Sequence, residues 1–273
     1  MIIDGKSTAL KIYEDLKEKI DKLAKKPKLV VILVGENFAS ISYIKQKSKW
    51  AIYCGMDFEL RQFSNDIEED FLLSEIDKLN KDDTVTGFLV QLPLPKYMDP
   101  DKVINAIETK KDVDGFSKET IAKVFLNEDG LYPCTPKGIK RLLDIYNIDV
   151  SGKNVTIIGR SNIVGKPLAL ILINAGATVT VCNSKTKNLD FYTKSADIIV
   201  CAAGKPLLLK KEMVNSGSVI IDIGTNFVDG KMVGDADFTS LEPENMITPV
   251  PGGVGPMTVA MLIENTYLAS LRN

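Results

Sequence analysis

The stretch at residues 153–167, KNVTIIGRSNIVGKP, constrains the fold of this chain more than any other. Its apolar start, VTII, is rich in β-branched residues and predicts a buried parallel strand. The strand ends at Gly159, and Gly165 and Pro167 then mark the first turn of a helix, where proline is tolerated. A strand, a glycine turn and a helix aim backbone N–H groups at a phosphate. The spacing, with Ser161 in place of a second glycine, also fits an ordinary turn of an α/β domain.

The composition excludes several classes of protein. A net charge of −2 provides no basic field for nucleic acid or for an anionic membrane. No apolar run approaches the length of a membrane span and no signal-peptide region is visible, so we expect a cytoplasmic protein. The four cysteines form no C-x-x-C pair and the chain has no histidine, so we expect reduced thiols and no metal site. Proton transfer near neutral pH then has to use Lys, Tyr, Asp, Glu, Cys or water.

Apolar runs that alternate with helical patterns predict parallel βαβ units, and therefore an α/β fold. We expect strands at Lys28–Val34, Asp57–Phe63, Val85–Leu92, Asn154–Ile158, Thr178–Cys182, Asp197–Cys201 and Val219–Ile223. We expect helices from about Ser7, over 36–55, and at Asn65–Asn80, Pro100–Glu108, Thr135–Tyr146 and Thr258–Leu271. An Asp-Gly pair within 227–233 predicts a hairpin. The stretch 116–133 has little periodicity and is a candidate interdomain segment.

Two residues on the second predicted helix could carry proton chemistry. Tyr43 and Lys47 are one helical turn apart, so they lie on the same face. A lysine partly removed from water beside a phenol can act as an acid or a base. The alternative is a solvated helix surface, with Lys45, Lys47 and Lys49 in water and Tyr43 packed.

Polar residues also follow the strand that ends near Gln91. Ligands of open α/β sheets bind beyond the carboxyl ends of the strands, where a glutamine offers both a donor and an acceptor. Asp112 and Asp114 precede Gly115, and a carboxylate there could bind an amino-pyrimidine edge. The alternatives are a strand-end cap for Gln91 and, for the two aspartates, a turn held by hydrogen bonds from side chain to backbone.

Two loops complete the candidate site. The loop VCNSKTK carries no acid where many NAD-binding domains place one, and Ser184 with Lys185, Lys187 and Arg160 would suit a 2′-phosphate. This favours NADP over NAD, unless the loop is simply exposed and basic. The glycines and prolines of PVPGGVGP, at 249–256, permit close approach of a ligand, or they form a connector between domains.

Several segments together resemble the bifunctional methylenetetrahydrofolate dehydrogenase/cyclohydrolase family. They are VGENFASISYIKQKSK (34–49), GFLVQLPLP (87–95), KDVDGF (111–116), PCTPKGI (133–139), GRSNIVGKP (159–167), ATVTVCNSKT (177–186) and TPVPGGVGPMT (248–258). The resemblance implies two α/β domains flanking a cleft, the second of them a Rossmann-like NADP-binding domain. Residues 1–120 would form the catalytic and folate-binding domain, with the last helix, 258–273, packed back on it. Residues 135–257 would bind NADP, and the chain would form a homodimer.

The resemblance also implies roles for individual side chains. Lys47 would be the central catalytic residue, assisted by Tyr43 and Gln91, while Asp114 holds the folate. Tyr43 and Gln91 would also contact the substrate. The positions that would contact the cofactor are Gly159, Arg160, Ser161, Ser184 and Thr225. The loop at Pro251 and Gly252 would approach the folate.

The activity implied is oxidation of 5,10-methylenetetrahydrofolate with NADP, followed by hydrolysis of 5,10-methenyltetrahydrofolate to 10-formyltetrahydrofolate. The alternatives are a dehydrogenase without cyclohydrolase activity, a non-enzymatic NADP-binding sensor, and an unrelated oxidoreductase such as a shikimate-type dehydrogenase. The chain departs from the common family pattern at Tyr97, Thr120, Ala122, Asn183 and Lys185. The last two lie in the loop for the 2′-phosphate and leave the choice between NADP and NAD open.

Overall fold

The structure is a computed structural model that describes residues 1–272. Its α-helices are α1 (Gly5–Asp21), α2 (Phe38–Tyr53), α3 (Glu69–Lys81), α4 (Pro100–Asn105), α5 (Lys118–Leu126), α6 (Cys134–Ile145), α7 (Gly165–Asn174), α8 (Leu189–Lys194), α9 (Phe238–Leu241) and α10 (Val254–Ser270). Its strands are β1 (Lys28–Val34), β2 (Asp57–Phe63), β3 (Gly87–Val90), β4 (Asn154–Ile158), β5 (Thr178–Cys182), β6 (Ile198–Cys201), β7 (Val219–Asp222), β8 (Asn226–Val228), β9 (Lys231–Val233) and β10 (Met246–Ile247).

The described residues divide into two compact units, which we name after their sheets. The five-strand unit consists of Met1–Ala9, Val124–Asn127 and Thr135–Thr258. The three-strand unit consists of Leu10–Lys123, Glu128–Cys134 and the chain from Val259 onward. Both sheets are parallel, so the predicted α/β fold is confirmed. None of the helices within residues 1–272 is long and apolar enough to cross a membrane.

The sheet of the three-strand unit has the order β2-β1-β3, with β1 paired in parallel on both sides. The central strand reads KLVVILV, and all of its residues after Lys28 are buried. This fits a strand that is covered on both faces, which is why its sequence does not alternate. Val30, Ile32 and Phe88 pack with Leu72 and Ile76 of α3 in one buried cluster. The sheet therefore holds the ends of β1 and β3 on a rigid support.

The sheet of the five-strand unit has the order β10-β7-β6-β4-β5, and every pair in it is parallel. All residues of β6 and β7 are buried. The predicted hairpin is confirmed as β8 and β9, with Asp229 at φ 50° and Gly230 at φ 74° in its turn. A two-residue hairpin turn of this kind requires positive φ at both positions, which Asp-Gly tolerates well.

Several helices differ from the predictions. The short helices α8 and α9 were not expected, α3 begins at Glu69 and not at Asn65, and α4 ends at Asn105 and not at Glu108. The stretch 116–133 contains α5, whose pattern is hidden because Phe125 and Leu126 are exposed while the polar Thr120 is buried. Helix α10 begins before Thr258, at Val254, because the proline at position 256 lies in its first turn, where its missing N–H is tolerated. The predicted last helix extended to residue 273, and that residue lies outside the described part of the chain.

Candidate functional site

The buried stripe of helix α2 carries a lysine. Asn37 caps the helix, because its side chain accepts a hydrogen bond from the backbone N–H of Ser40 at 3.0 Å. The residues that α2 buries include Ser40, Ile44 and Lys47, at helical spacing. Lys47 is only 5% exposed, whereas its neighbours at positions 45 and 49 are exposed. The solvated-surface alternative therefore holds for those two neighbours and is wrong for Lys47.

The Lys47 side-chain nitrogen has a defined partner at the end of β3. This Nζ donates to Oε1 of Gln91 at 2.9 Å. The Gln91 backbone N–H donates to the carbonyl of Ile32 in β1, and its side-chain Nε2 donates to the carbonyl of Leu92 at 2.8 Å. These bonds fix the amide so that its oxygen faces Lys47. The end of β3, through Gln91, and helix α2 together therefore fix the position of the Lys47 nitrogen.

The two aspartates of the KDVDGF segment have different roles in the structure. Asp112 is 1% exposed and accepts the backbone N–H groups of Gly115 at 2.9 Å and Ser117 at 2.8 Å. It is the turn-forming residue of the alternative given above. The Asp114 carboxylate makes none of these turn bonds, and the positive charge of Lys47 acts on it. The structure therefore separates a structural aspartate from one that can serve a ligand.

Thr120, one of the departures from the family pattern, belongs to the same turn. Its hydroxyl donates to Asp112 Oδ2 at 3.1 Å and accepts from Ser117 Oγ at 3.0 Å. The Thr120 hydroxyl is therefore one of the donors that hold the turn before Asp114.

Burial sets the electrostatics of this cluster. Removal from water raises the pKa of Asp114, while the positive charge of Lys47 opposes that increase and the charge of Asp112 adds to it. Burial also raises the pKa of Tyr43, as does the negative charge of Asp114. Tyr43 is thus a protonated donor at neutral pH. The three-strand unit brings together a phenol, an amine, an amide and a carboxyl group, which can hold a polar ring and move a proton.

The loop after β4 is closely packed around two glycines. Gly159 has φ +137°, and a Cβ there would lie 2.1 Å from the carbonyl oxygen of Ala202. A Cβ on Gly165 would lie 2.2 Å from the carbonyl oxygen of Gly159. Ser161 Oγ accepts the backbone N–H groups of Val164 at 3.2 Å and Gly165 at 3.3 Å, so it satisfies two N–H groups where α7 begins. This explains why a serine stands where a second glycine was expected.

The candidate cofactor positions lie at the carboxyl ends of parallel strands in one sheet. Gly159 follows β4, Ser184 follows β5 and Thr225 follows β7. Such ends share one edge of the sheet, where α/β proteins bind nucleotides. Arg160, Ser184 and Thr225 are exposed, as are the lysines at 185 and 187. This set of hydroxyl groups and cations, with no carboxylate in 182–187, fits a dinucleotide that carries a 2′-phosphate.

The loop that contains Pro251 and Gly252 also belongs to the five-strand unit. Gly252 has φ +113°, and its carbonyl accepts the backbone N–H of Lys6 at 2.8 Å. The backbone N–H of Gly253 donates to the carbonyl of Pro249 at 2.8 Å. Pro251 is exposed and Gly252 is half-buried, so both are accessible to a ligand of this unit.

Two buried carboxylates in the five-strand unit, Asp222 and Asp235, were not predicted from the sequence. Burial raises the pKa of Asp222 to about 6, although N–H groups of Ala236, Asp235 and Gly224 lower it. An aspartate at the end of an apolar strand, two residues before a glycine, was the available signal for Asp222. Within residues 1–272, no group of three or more His, Cys, Asp or Glu side chains could hold a metal ion.

Comparisons with known proteins find relatives that match this chain over nearly its whole length. Residues 133–273 match the family model described as the tetrahydrofolate dehydrogenase/cyclohydrolase NAD(P)-binding domain, and residues 3–114 match the catalytic domain of the same family. A bifunctional protein FolD from Hydrogenobaculum sp. is 51% identical over 271 residues, which cover 98% of each chain.

Solved structures extend the comparison to the fold. The bifunctional enzyme FolD from Campylobacter jejuni is 46% identical, with a TM-score of 0.98 over 100% of this chain and 99% of that one. The Trypanosoma brucei methylenetetrahydrofolate dehydrogenase-cyclohydrolase, solved with NADP and an inhibitor, is 32% identical. Its TM-score is 0.95 over 100% of this chain and 97% of that one.

Proposed function

Because the chain belongs to the tetrahydrofolate dehydrogenase/cyclohydrolase family, we propose that Tyr43, Lys47, Gln91 and Asp114 form its active site. The protein is an NADP-dependent enzyme that oxidises 5,10-methylenetetrahydrofolate to 5,10-methenyltetrahydrofolate and hydrolyses the methenyl compound to 10-formyltetrahydrofolate. The observation that carries the assignment of the site is the buried Lys47 amine held on Gln91 at 2.9 Å.

In the proposed site Asp114 holds the pterin ring of the substrate. A carboxylate can accept two hydrogen bonds from an amino-pyrimidine edge. Burial, which raises the pKa of Asp114, also strengthens such bonds because water does not compete for the carboxylate. The pKa of Tyr43 is also raised, so its hydroxyl group stays protonated. It donates a hydrogen bond to the substrate and adds no second negative charge beside Asp114.

The hydrolytic step moves one proton of the attacking water to N5 and releases the other, and we assign the transfer to N5 to Lys47. Water adds to the methenyl carbon and loses its first proton to the amine. The bond from that carbon to N5 then breaks as N5 gains this proton, and the hydroxyl group releases its second proton to solvent as it becomes the carbonyl oxygen of the formyl group. The neutral amine of Lys47 accepts the proton from the water, and the resulting ammonium group donates it to N5. Gln91 Oε1 accepts one N–H of Lys47 in both states. This bond holds the Lys47 nitrogen in place during both transfers.

For the oxidation step, we assign the cofactor to the carboxyl edge of the five-strand sheet. Gly159, Arg160 and Ser161 would hold the dinucleotide after β4, and Ser184 and Thr225 would contact it after β5 and β7. When bound, NADP accepts the hydride that leaves the methylene carbon of the folate. The protein contributes chiefly by positioning the substrate, because the reaction requires alignment of two carbon atoms. The loop at Pro251 and Gly252 is assigned to the folate.

The two half-reactions, measured separately on the purified protein, test this function. Methylenetetrahydrofolate is supplied with NADP or with NAD, and formation of the reduced nucleotide is followed; methenyltetrahydrofolate is then supplied alone, and loss of its absorbance is followed. We expect oxidation with NADP in preference to NAD, and enzymatic hydrolysis without any nucleotide. Oxidation without hydrolysis would identify a monofunctional dehydrogenase. Tight NADP binding without either reaction would identify a sensor and contradict the proposal.

We further propose a cytoplasmic homodimer. The resemblance supports the dimer, as do exposed apolar residues around β5, an edge strand of its sheet: Ile173, Val181 and Phe191. Cys54, Cys134, Cys182 and Cys201 are free and buried, which fits a reducing compartment. Light scattering coupled to size-exclusion chromatography tests the dimer, and a monomer mass at micromolar concentration would contradict it.

A further inference from the structure

A single buried carboxylate collects the backbone N–H groups of a whole loop in the five-strand unit. Asp235 has no exposed surface, with a relative accessibility of 0%. Its Oδ2 accepts from the backbone N–H groups of Ala203 at 2.6 Å and Gly204 at 2.9 Å, and its Oδ1 accepts from that of Lys205 at 2.9 Å. The side chain of Asn226 donates to Oδ1 as well, at 2.9 Å. Within residues 1–272, no lysine or arginine forms an ion pair with this carboxylate, so backbone and amide donors alone stabilise it.

The loop that Asp235 holds packs against the candidate dinucleotide loop. Residues 202–205 follow β6, which lies between β4 and β7 in the sheet. The carbonyl oxygen of Ala202 is the atom that a Cβ on Gly159 would meet at 2.1 Å. Any shift of this loop would therefore reach Gly159 directly, because the two backbones are in close contact.

The same carboxylate is bonded to the segment after β7. Asn226 follows Thr225, which is a candidate cofactor contact. Gly224 approaches Asp235 so closely that a Cβ on it would lie 2.4 Å from Asp235 Oδ1. Asp222 Oδ1 accepts the backbone N–H groups of Gly224 at 2.9 Å and of Asp235 itself at 3.0 Å. Two buried aspartates thus connect the loops that follow β6 and β7.

We propose that Asp235 is a positioning residue for the dinucleotide, which fixes the loop 203–205 and the segment 224–226 at the edge of the sheet where the cofactor binds. The inference rests on the proposed assignment of Gly159 and Thr225 to the cofactor. Asp235 itself does not contact the cofactor. It orders the backbone of the loop 203–205 and of the segment 224–226, which lie at the edge of the sheet assigned to the cofactor. A preordered loop binds a ligand more tightly because binding does not have to restrict its motion.

The substitution Asp235→Asn tests this in the full-length protein. An amide has one acceptor oxygen, whereas the carboxylate has two oxygens with two donors each, so two of the four donors lose their acceptor. We expect the dissociation constant and the KM for NADP to rise at least about tenfold, since a lost acceptor leaves buried N–H groups unsatisfied. Hydrogen exchange at residues 203–205 should become faster. The hydrolysis of methenyltetrahydrofolate and the KM for the folate should stay unchanged. Tyr43, Lys47, Gln91 and Asp114 belong to the three-strand unit, and the folate loop at 251–252 makes no hydrogen bond with the Asp235 side chain among the described residues.

Two further variants keep the test decisive. Asp229→Asn makes the same chemical change in the exposed turn of the hairpin, where asparagine tolerates positive φ, and should leave all these values unchanged. Asn226→Ala removes one donor from the network without removing a buried charge, and should raise the NADP dissociation constant by a smaller factor. It replaces Asp235→Asn if that variant does not fold.

The possible outcomes separate this inference from the proposed function. An unchanged NADP dissociation constant in Asp235→Asn, or in Asn226→Ala if only that variant folds, would overturn the inference. A parallel loss of NADP binding and of cyclohydrolase activity would also overturn it, because it would indicate a role in general folding. If the wild-type protein binds NADP but catalyses neither half-reaction, the proposed function fails, while calorimetric titration with NADP still decides the role of Asp235.

Discussion

The turn held by Asp112 gives a prediction whose magnitude follows from the structure. Asp112 accepts hydrogen bonds from the backbone N–H groups of Gly115, Phe116 and Ser117 and from the hydroxyl of Thr120. In Asp112→Asn only one oxygen remains, so two of these donors lose their acceptor. A buried donor left unsatisfied costs about 1–3 kcal/mol, so we expect the free energy of unfolding to fall by about 2–6 kcal/mol.

The same substitution should weaken folate binding, because the turn positions Asp114. We expect a higher KM for methylenetetrahydrofolate with an unchanged KM for NADP. The single tryptophan of the chain, Trp50, stacks on Tyr13 within the three-strand unit, with ring centroids 4.1 Å apart. Its fluorescence during urea unfolding therefore reports on the unit that contains the substitution.

A matched variant controls for the loss of a charge alone. Asp83→Asn changes an exposed aspartate of the same unit, whose side chain makes no hydrogen bond or ion pair with another described residue. We expect this variant to change the free energy of unfolding by less than about 0.5 kcal/mol. If Asp112→Asn is destabilised by no more than Asp83→Asn, or if its KM for the folate is unchanged, the turn does not position Asp114 and the reasoning is refuted.

Two further predictions concern the five-strand unit. Gly159→Ala should raise the KM for NADP more than tenfold, because the new Cβ would lie 2.1 Å from the carbonyl oxygen of Ala202 and overpacking costs about 1–3 kcal/mol. Gly152→Ala is the control, since Gly152 also has positive φ (+72°) but no neighbour within 4 Å of the added Cβ. Equal changes of KM in the two variants, measured by steady-state kinetics, would contradict the role of close packing. The raised pKa of Asp222, about 6 against an ordinary value of 3.8, means that the native state binds a proton more tightly than the unfolded chain. Its contribution to stability therefore increases as the pH falls from 7 to 5, by about 1 kcal/mol. Chemical unfolding at both pH values should show this increase in the wild type relative to Asp222→Asn, and a difference that is constant with pH would contradict it.

Much of the fold could be predicted from the sequence because buried parallel strands have a strong pattern. The strands β1, β2, β4 and β5 have the bounds that were expected. The strand β10 was missed because it has only two residues, Met246 and Ile247, and its pairing with β7 depends on tertiary structure. Helix α5 was missed because its apolar residues are partly exposed, so no periodicity identifies its buried face.

The site could be predicted only in part. Spacing places Tyr43 and Lys47 on one face of a helix, but it cannot tell that this face is buried while the lysines at 45 and 49 are exposed. That distinction depends on how α2 packs on the sheet. The segment KDVDGF contains two aspartates of equal standing in the sequence, and only the turn geometry separates Asp112 from Asp114. Their assigned functions came from the resemblance to a family.

Asp235 shows a further limit of sequence reasoning. Its partners at positions 203–205 are about thirty residues away in sequence, and Asn226 lies at the start of the hairpin. Three of the four donors are backbone N–H groups. Backbone donors carry no residue signature, because every residue except proline has the same N–H. Such a network becomes visible only when the chain is folded.

The most direct test of the account is the cyclohydrolase rate of Lys47→Met, compared with that of Lys45→Met on the same helix. Methionine fills a similar volume without an amine, so it removes the proton carrier and leaves the packing of α2 largely unchanged. We predict that Lys47→Met folds and binds NADP, yet no longer hydrolyses methenyltetrahydrofolate, while Lys45→Met keeps the wild-type rate. Full hydrolysis by Lys47→Met would contradict the assignment of the proton transfers to this amine.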